Sequence, residues 1–166
     1  GIDVTLVRPL EFRYADPIRG EIRREFNVAP GLTIAFDSTL EVVALGDLGK
    51  SRRVAVRLQN QTLPKADGVV RLRLPEGWRS KPAEAKFSIA SRGQREAVVF
   101  QLTPAVGTKE GHYQLSAEAT VGDKKYATAV QVIEYPHIQT HRLYEPALAN
   151  VRVLDVKVAN VQVGYI

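Results

Sequence analysis

The stretch from Gly111 to Ile133, GHYQLSAEATVGDKKYATAVQVI, alternates apolar and polar residues on both sides of Gly122-Asp123. Successive side chains on a strand point to opposite faces, so Tyr113, Leu115, Ala117, Ala119 and Val121 share one face and Gln114, Ser116, Glu118 and Thr120 the other. A Gly-Asp pair between two such runs predicts a two-residue hairpin turn. That turn places Tyr113 opposite Val132, Leu115 opposite Val130 and Ala119 opposite Tyr126, so both arms carry their apolar residues to one face. A slip of one residue would turn that face to solvent. The hairpin therefore needs a second sheet, which the rest of the chain must supply.

Several other segments show the same period. Leu32, Ile34 and Phe36 alternate with Thr33 and Ala35, and Leu40 and Val42 flank Glu41. Val54, Val56 and Leu58 alternate with Arg53, Ala55, Arg57 and Gln59, and Val70, Leu72 and Leu74 with Val69, Arg71 and Arg73. Phe87 and Ile89, then Val98, Phe100 and Leu102, mark two more strands. Strands of this length with regularly spaced turn signals, and no stretch that keeps a helical period, predict an all-β immunoglobulin or fibronectin type III-like β-sandwich. The sandwich is expected over residues 22–135. Residues 1–21, broken by Pro9 and Pro17, read as a lead-in from a preceding domain. Residues 136–166 read as a linker and one or two strands toward a following one.

A chain of 166 residues is long enough for one core without staples. The absence of cysteine removes disulfides, thiolate catalysis and Cys-ligated zinc. No apolar run reaches membrane-spanning length, so no membrane insertion is expected. There is also no methionine, and the strand pattern is still running at Val161 to Ile166, which predicts a piece of a longer polypeptide. The net charge of +5 is spread among interleaved acidic residues and reads as solvated sheet faces, with no nucleic-acid partner expected. One exception is Arg57, Arg71 and Arg73, which lie on the polar faces of two strands and are candidates for a single basic stripe.

Motifs that suggest chemistry are met by plainer readings. Ala44-Leu-Gly-Asp-Leu-Gly-Lys50-Ser51 resembles a relaxed phosphate-binding loop, but the residues after Ser51 have period two, and without a following helix there is no amide cradle. His137 and His141 are four apart, which would align two imidazoles only on a helix; Pro136 and the lost period put them in a connecting segment. His112 falls on the polar face of the hairpin. No Gly-x-Ser-x-Gly elbow occurs, and nothing in the spacing brings Glu118 and Glu134 together. No catalytic residue, metal site or cofactor is therefore assigned.

Trp78, the only tryptophan, follows a Pro-Glu-Gly turn and reads first as an end plug of the sandwich and second as a sugar-stacking platform. Tyr113, at the start of its strand, reads as a tyrosine corner whose hydroxyl bonds nearby backbone. The candidate ligand contacts are thus Trp78, Tyr144, Arg57, Arg71 and Arg73.

Three runs carry a family resemblance: Val70-Arg-Leu-Arg-Leu-Pro-Glu-Gly-Trp78, Val98-Val-Phe-Gln-Leu-Thr-Pro104 and Gly111-His-Tyr-Gln-Leu-Ser-Ala117. Together they resemble the Ig-like sandwich domain associated with bacterial α-galactosidases and other carbohydrate-active proteins (the NPCBM-associated domain), over about residues 32–135. The flanks, Gly20-Glu-Ile-Arg-Arg24 with Val28-Ala-Pro30, and Ile133-Glu-Tyr-Pro-His-Ile138 with Val163-Gly-Tyr-Ile166, resemble the region following the catalytic domain of large PIG-L (LmbE-like) deacetylases. The resemblance implies that zinc-dependent catalysis lies outside this chain, in a domain on its N-terminal side, and that the location is extracytoplasmic. It implies a non-catalytic accessory or spacer module whose partners are neighbouring domains of the same polypeptide. Two other roles remain open: a carbohydrate-binding module, and a protein-interaction module that pairs through a sheet edge.

Overall fold

The computed structural model describes residues 5, 7, 10–26, 28–135 and 140–156. The described residues form fourteen strands and one 3-10 turn at Leu45–Asp47, with no α-helix. A separate two-stranded hairpin comes first, β1 (Glu11–Asp16) and β2 (Gly20–Glu25). Its turn is held by Asp16 Oδ1, which accepts from the backbone N–H groups of Ile18 and Arg19 at 2.9 and 2.8 Å. Those two donors hold the Asp16 carboxyl below its usual range.

The sandwich follows. Its strands are β3 (Leu32–Phe36), β4 (Leu40–Ala44), β5 (Arg52–Asn60), β6 (Ala66–Arg73), β7 (Arg79–Lys81), β8 (Glu84–Ile89), β9 (Arg95–Thr103), β10 (Gly111–Val121), β11 (Lys124–Tyr126), β12 (Thr128–Ile133), β13 (His141–Pro146) and β14 (Leu148–Leu154). One sheet runs β3-β5-β9-β7; the facing sheet runs β4-β14-β10-β6-β8, with β11 joined to β10. Among the described residues β12 and β13 pair only with each other. The two principal sheets put Leu32, Ile34, Val56, Leu58, Phe100 and Leu102 against Val70, Leu115, Ala117, Val151 and Val153 in one core. Burying each large side chain there stabilises the fold by about 1.5–3 kcal/mol. The all-β, Ig-like expectation holds, and the alternating runs of residues 32–102 are strands; in β4, however, Leu40 and Val42 turn to solvent and Val43 enters the core.

The hairpin holds for half its length. Gly122 takes φ 58° in a two-residue turn that pairs Val121 with Lys124 and Ala119 with Tyr126. The apolar face of β10 is also as read, with Leu115, Ala117 and Ala119 buried. The second arm stops at Tyr126, however. Beyond Ser116 the place beside β10 is taken by β14, so Leu115 faces Ala149 and Tyr113 faces Val151 instead of Val130 and Val132. Ala149, Val151 and Val153 of β14 are all buried in that slot, whereas Val132 of β12 stays half-exposed on its hairpin. A core-facing slot favours the former.

Two boundaries shift with that exchange. The sandwich does not close at residue 135, because Leu148–Leu154 lies inside the sheet between β10 and β4. Nor does it begin at residue 22, because Gly20–Glu25 pairs with β1 and the first strand of the sandwich is β3. The β12–β13 hairpin is therefore an excursion between two neighbouring strands of one sheet. The sequences Val163 to Ile166 and Pro136 to Ile138 lie outside the described residues.

Candidate functional site

Inward residues of β3 occupy the core, while Thr33 and Ala35 point to the outer side of the sheet. Thr33 is nevertheless only 5% exposed. The β12–β13 hairpin covers it: Val130 of β12 borders a hollow of about 240 Å³ with Thr33, Ala35, Arg57, Gln59 and Arg95. A smaller hollow of about 30 Å³ adjoins it, sharing Thr33 and Val130 and adding Gln61, Val132, Arg142 and Tyr144. In the β12–β13 register Val130 faces Tyr144 and Val132 faces Arg142, so these four share the face turned to the sheet. The result is a cleft with a sheet floor and a hairpin wall.

Depth comes from small residues. Arg57 is flanked in register by Ala35 on β3 and Ala97 on β9, so its side chain stands above low neighbours. Arg95 lies two pairs along, opposite Gln59 and on the same face. Gln61 Nε2 donates to Thr33 Oγ1 at 3.2 Å and fixes the floor. Asp37 Oδ1 lies 3.0 Å from Arg57 Nε and orients that guanidinium. Arg95 and Arg142 make no ion pair among the described residues.

Behind the cleft, Asn60 ends β5 and is fully buried. Its side chain donates to the Leu63 carbonyl and accepts from the Leu63 N–H, both at 2.9 Å, so no polar group of that amide is stranded. This clamp ties the cleft end of β5 to the loop that follows it.

The other candidate residues lie elsewhere. Arg71 and Arg73 are on β6, in the opposite sheet from Arg57, so no single basic stripe forms. A face shared across two strands requires them to be neighbours in one sheet, and these are not. Each of the two is paired, Arg71 with Glu84 at 2.6 Å and Arg73 with Glu118 at 3.3 Å. Lys125 also reaches Glu118 at 3.0 Å, and that ammonium, with Arg73 adding to it, holds the Glu118 carboxyl below its usual range.

Trp78 is 6% exposed and packs in the core. Gly77 takes φ 76° at the third position of the Pro75–Trp78 turn, where a type II turn requires a positive φ. The indole N–H donates to Thr108 Oγ1 at 3.2 Å, and the ring lies 5.4 Å from that of Tyr113. The Tyr113 hydroxyl in turn donates to the Lys109 carbonyl at 2.9 Å, the tyrosine corner read from the sequence. Tyr144, by contrast, is 36% exposed in the cleft wall.

The phosphate-loop look-alike is a 3-10 turn running into β5, with Lys50 Nζ bonded to Asp47 Oδ1 at 2.7 Å. His112 is exposed on the outer face of β10, and His141 opens β13 opposite Ile133; His137 lies outside the described residues. Glu134 accepts from Thr140 Oγ1, remote in role from the Glu118 network. Among the described residues no three His, Asp or Glu groups are gathered as a metal site would need. The strands at the sheet edges, β3, β7, β4 and β8, are three to six residues long, and short edges leave little room for an added strand. No helix among the described residues is long and apolar enough to cross a membrane.

Sequence alone missed Arg95, Arg142 and Gln61 as members of one site with Arg57 and Tyr144. Arg57 was legible as an outward residue of its strand, and extending the alternation of Val98, Phe100 and Leu102 back would have placed Arg95 outward as well. The meeting with Arg142 and Tyr144 depends on where an excursion lands, which no local pattern encodes.

Fold and site together define an immunoglobulin-like β-sandwich module with a hairpin excursion folded over one sheet. Within it, residues 49–122, from the turn before β5 to the tip of the β10 hairpin, match the family model of the NPCBM-associated, NEW3 domain of alpha-galactosidase. That match takes in 74 of the 166 residues and includes the three runs on which the resemblance rests. No curated protein sequence matches the chain. Among solved structures, a family 123 glycoside hydrolase from Clostridium perfringens is 11% identical at a TM-score of 0.44, over 75% of this chain and 28% of that one. A CARDB domain from Pyrococcus furiosus is 16% identical at 0.41, over 74% of this chain and 87% of that one. The apo Calx CBD1 domain is 11% identical at 0.41, over 77% of this chain and all of that one.

Proposed function

We propose that this chain is a spacer module of a multidomain, extracytoplasmic PIG-L-like sugar N-deacetylase, holding its neighbours at a fixed separation and bearing no catalytic group of its own. The observation that carries the reading is the direction of the first and last strands. β3 begins beside Asn60, at one end of β5. β14 runs parallel to β4 and ends beside Ala44, which the 3-10 turn joins to Arg52 at the other end of β5. The chain thus enters the sandwich at one end and leaves at the other. Nine residues of β5 span about 30 Å at ~3.3 Å each, which sets the offset imposed on whatever adjoins it. A stiff sandwich acts here by geometry, and function lives at its ends.

The NEW3-type match supports an accessory role, and the resemblance of the flanks supports the choice of parent. The test replaces residues 32–154 in the natural polypeptide with a flexible Gly/Ser linker of the same reach. Turnover of a small acetylated sugar is expected to persist, and turnover of the polymeric substrate to fall, because orientation of the neighbours is lost. Loss of turnover on the small sugar would place chemistry in this chain and overturn the reading. A natural polypeptide that lacks a zinc-dependent deacetylase domain would overturn the choice of parent.

A further inference from the structure

We infer that the cleft between the β3-β5-β9 face and the β12–β13 hairpin binds a carboxylate-bearing saccharide unit. The inference goes beyond the spacer role and stands or fails separately from it. Charge is the first argument. Arg57, Arg95 and Arg142 border the two adjoining hollows, and Asp37, on Arg57, is the carboxylate paired with any of them. An arginine fork is planar and matches a carboxylate with two parallel hydrogen bonds. Asp37 engages Arg57 through Nε, which holds the guanidinium in place.

Lining chemistry is the second argument. Gln59 and Gln61 place amides beside the cations, groups that suit sugar hydroxyls, while Val130 and the half-exposed Tyr144 offer an apolar wall for the C–H face of a pyranose. Size is the third. A hollow of about 240 Å³ falls below the ~300 Å³ lower bound of pockets that bury drug-sized ligands, so it takes one charged unit of a longer chain and leaves the rest in solvent. Single-stranded nucleic acid fits less well, because it needs successive stacking platforms along a basic groove, and among the described residues Tyr144 is the one aromatic ring in these walls. An acidic peptide adding as a strand along β3 is also disfavoured, since the β12–β13 hairpin lies alongside that strand.

The test uses the whole chain, titrated calorimetrically with α-1,4-linked trigalacturonate, neutral galactotriose, oligothymidylate and polyglutamate. Trigalacturonate is expected to bind and galactotriose not to, with affinity falling as salt rises. Arg95→Ala and Arg142→Ala, both exposed, are each expected to weaken binding about tenfold, as loss of a charge-assisted hydrogen bond does. Arg152→Ala, the same change of net charge on the opposite sheet, is expected to stay within about twofold, since an exposed charge there is screened from the cleft. No detectable binding of trigalacturonate overturns the inference, as does equal binding of galactotriose. Equal losses in Arg152→Ala reduce the effect to net charge and overturn it too. Tighter binding of oligothymidylate or polyglutamate through Arg95 and Arg142 would reassign the cleft to that partner.

Discussion

The two outer faces of this sandwich are built from the same alternating pattern and differ in how their charges are settled. On the β6-β10-β8 side, Arg71 meets Glu84, Arg73 and Lys125 share Glu118, and Lys65 meets Asp67, which also accepts from Ser88 Oγ at 2.6 Å. Asp67 is held below its usual range by Lys65 first and Ser88 second. On the β5-β9-β7 side, Arg53, Arg79, Lys81 and Arg95 have no ion-pair partner among the described residues, and Asp37 alone offsets Arg57. Exposed ion pairs contribute at most about 1 kcal/mol each, so the paired face is not what holds the fold. The difference matters for recognition: on one face Arg71 and Arg73 are tied to carboxylates, and the other presents arginines without ion-pair partners beside a cleft.

The largest effect expected from breaking this comparison is on the paired side. Gly68 sits mid-strand in β6, where a Cβ would run into the Thr120 carbonyl of β10 and the Phe87 ring of β8. A glycine inside a strand marks such a close approach. Gly68→Ala should therefore cost roughly 3 kcal/mol by urea denaturation, in the range of overpacked cores. A cost under about 1 kcal/mol would mean that β8 shifts freely and that the ion pairs along it are incidental.

On the cleft side the expected effect is smaller and local. Val130→Asp puts a charge on the hairpin residue that rests against Thr33, and should cost about 1 kcal/mol. Hydrogen exchange is expected to rise in β12 and β13 and to stay unchanged in β10, whose neighbour is β14. Equal loss of protection in β10 would show that the excursion and the core open as one unit.

The smallest effect sharpens the electrostatic half of the comparison. Because the folded-state pKa of Glu118 is lowered from 4.5, its contribution is present above that value and is lost as pH falls through the lowered one. Glu118→Gln should remove less than about 1 kcal/mol at pH 7 and flatten the acid side of the stability profile below about pH 5. A variant whose acid limb matches the parent's would locate the acid sensitivity in other carboxylates.

What could be read in advance follows the range of the interactions. Trp78 and Tyr113 were legible because a type II turn and a tyrosine corner are written in a few neighbouring residues. The β10–β11 turn was legible for the same reason, down to the Ala119–Tyr126 pair. The partner of Leu115 was not, because Ala149 and Val130 head equally regular runs and the choice between them rests on core packing. The site was legible residue by residue: Arg57 and Tyr144 were both candidates, though nothing linked them. They line one cleft because the excursion between β11 and β14 folds back over β3, a placement that period and composition leave open.

The parallel pairing of β4 with β14 has a consequence in time. Leu40 lies beside Asn150, a partner about 110 residues further along the chain. On a ribosome adding about 5–20 residues each second, β4 waits several seconds or more for its partner, with its own edge and that of β10 bare. Closure of so long a loop also puts folding in the slow range of non-local β topologies. A nascent chain that reaches only residue 135 has most of the core and no final strand, which is the state most exposed to pairing with another copy of itself. For this module, cover for the edges of β4 and β10 arrives only with β14.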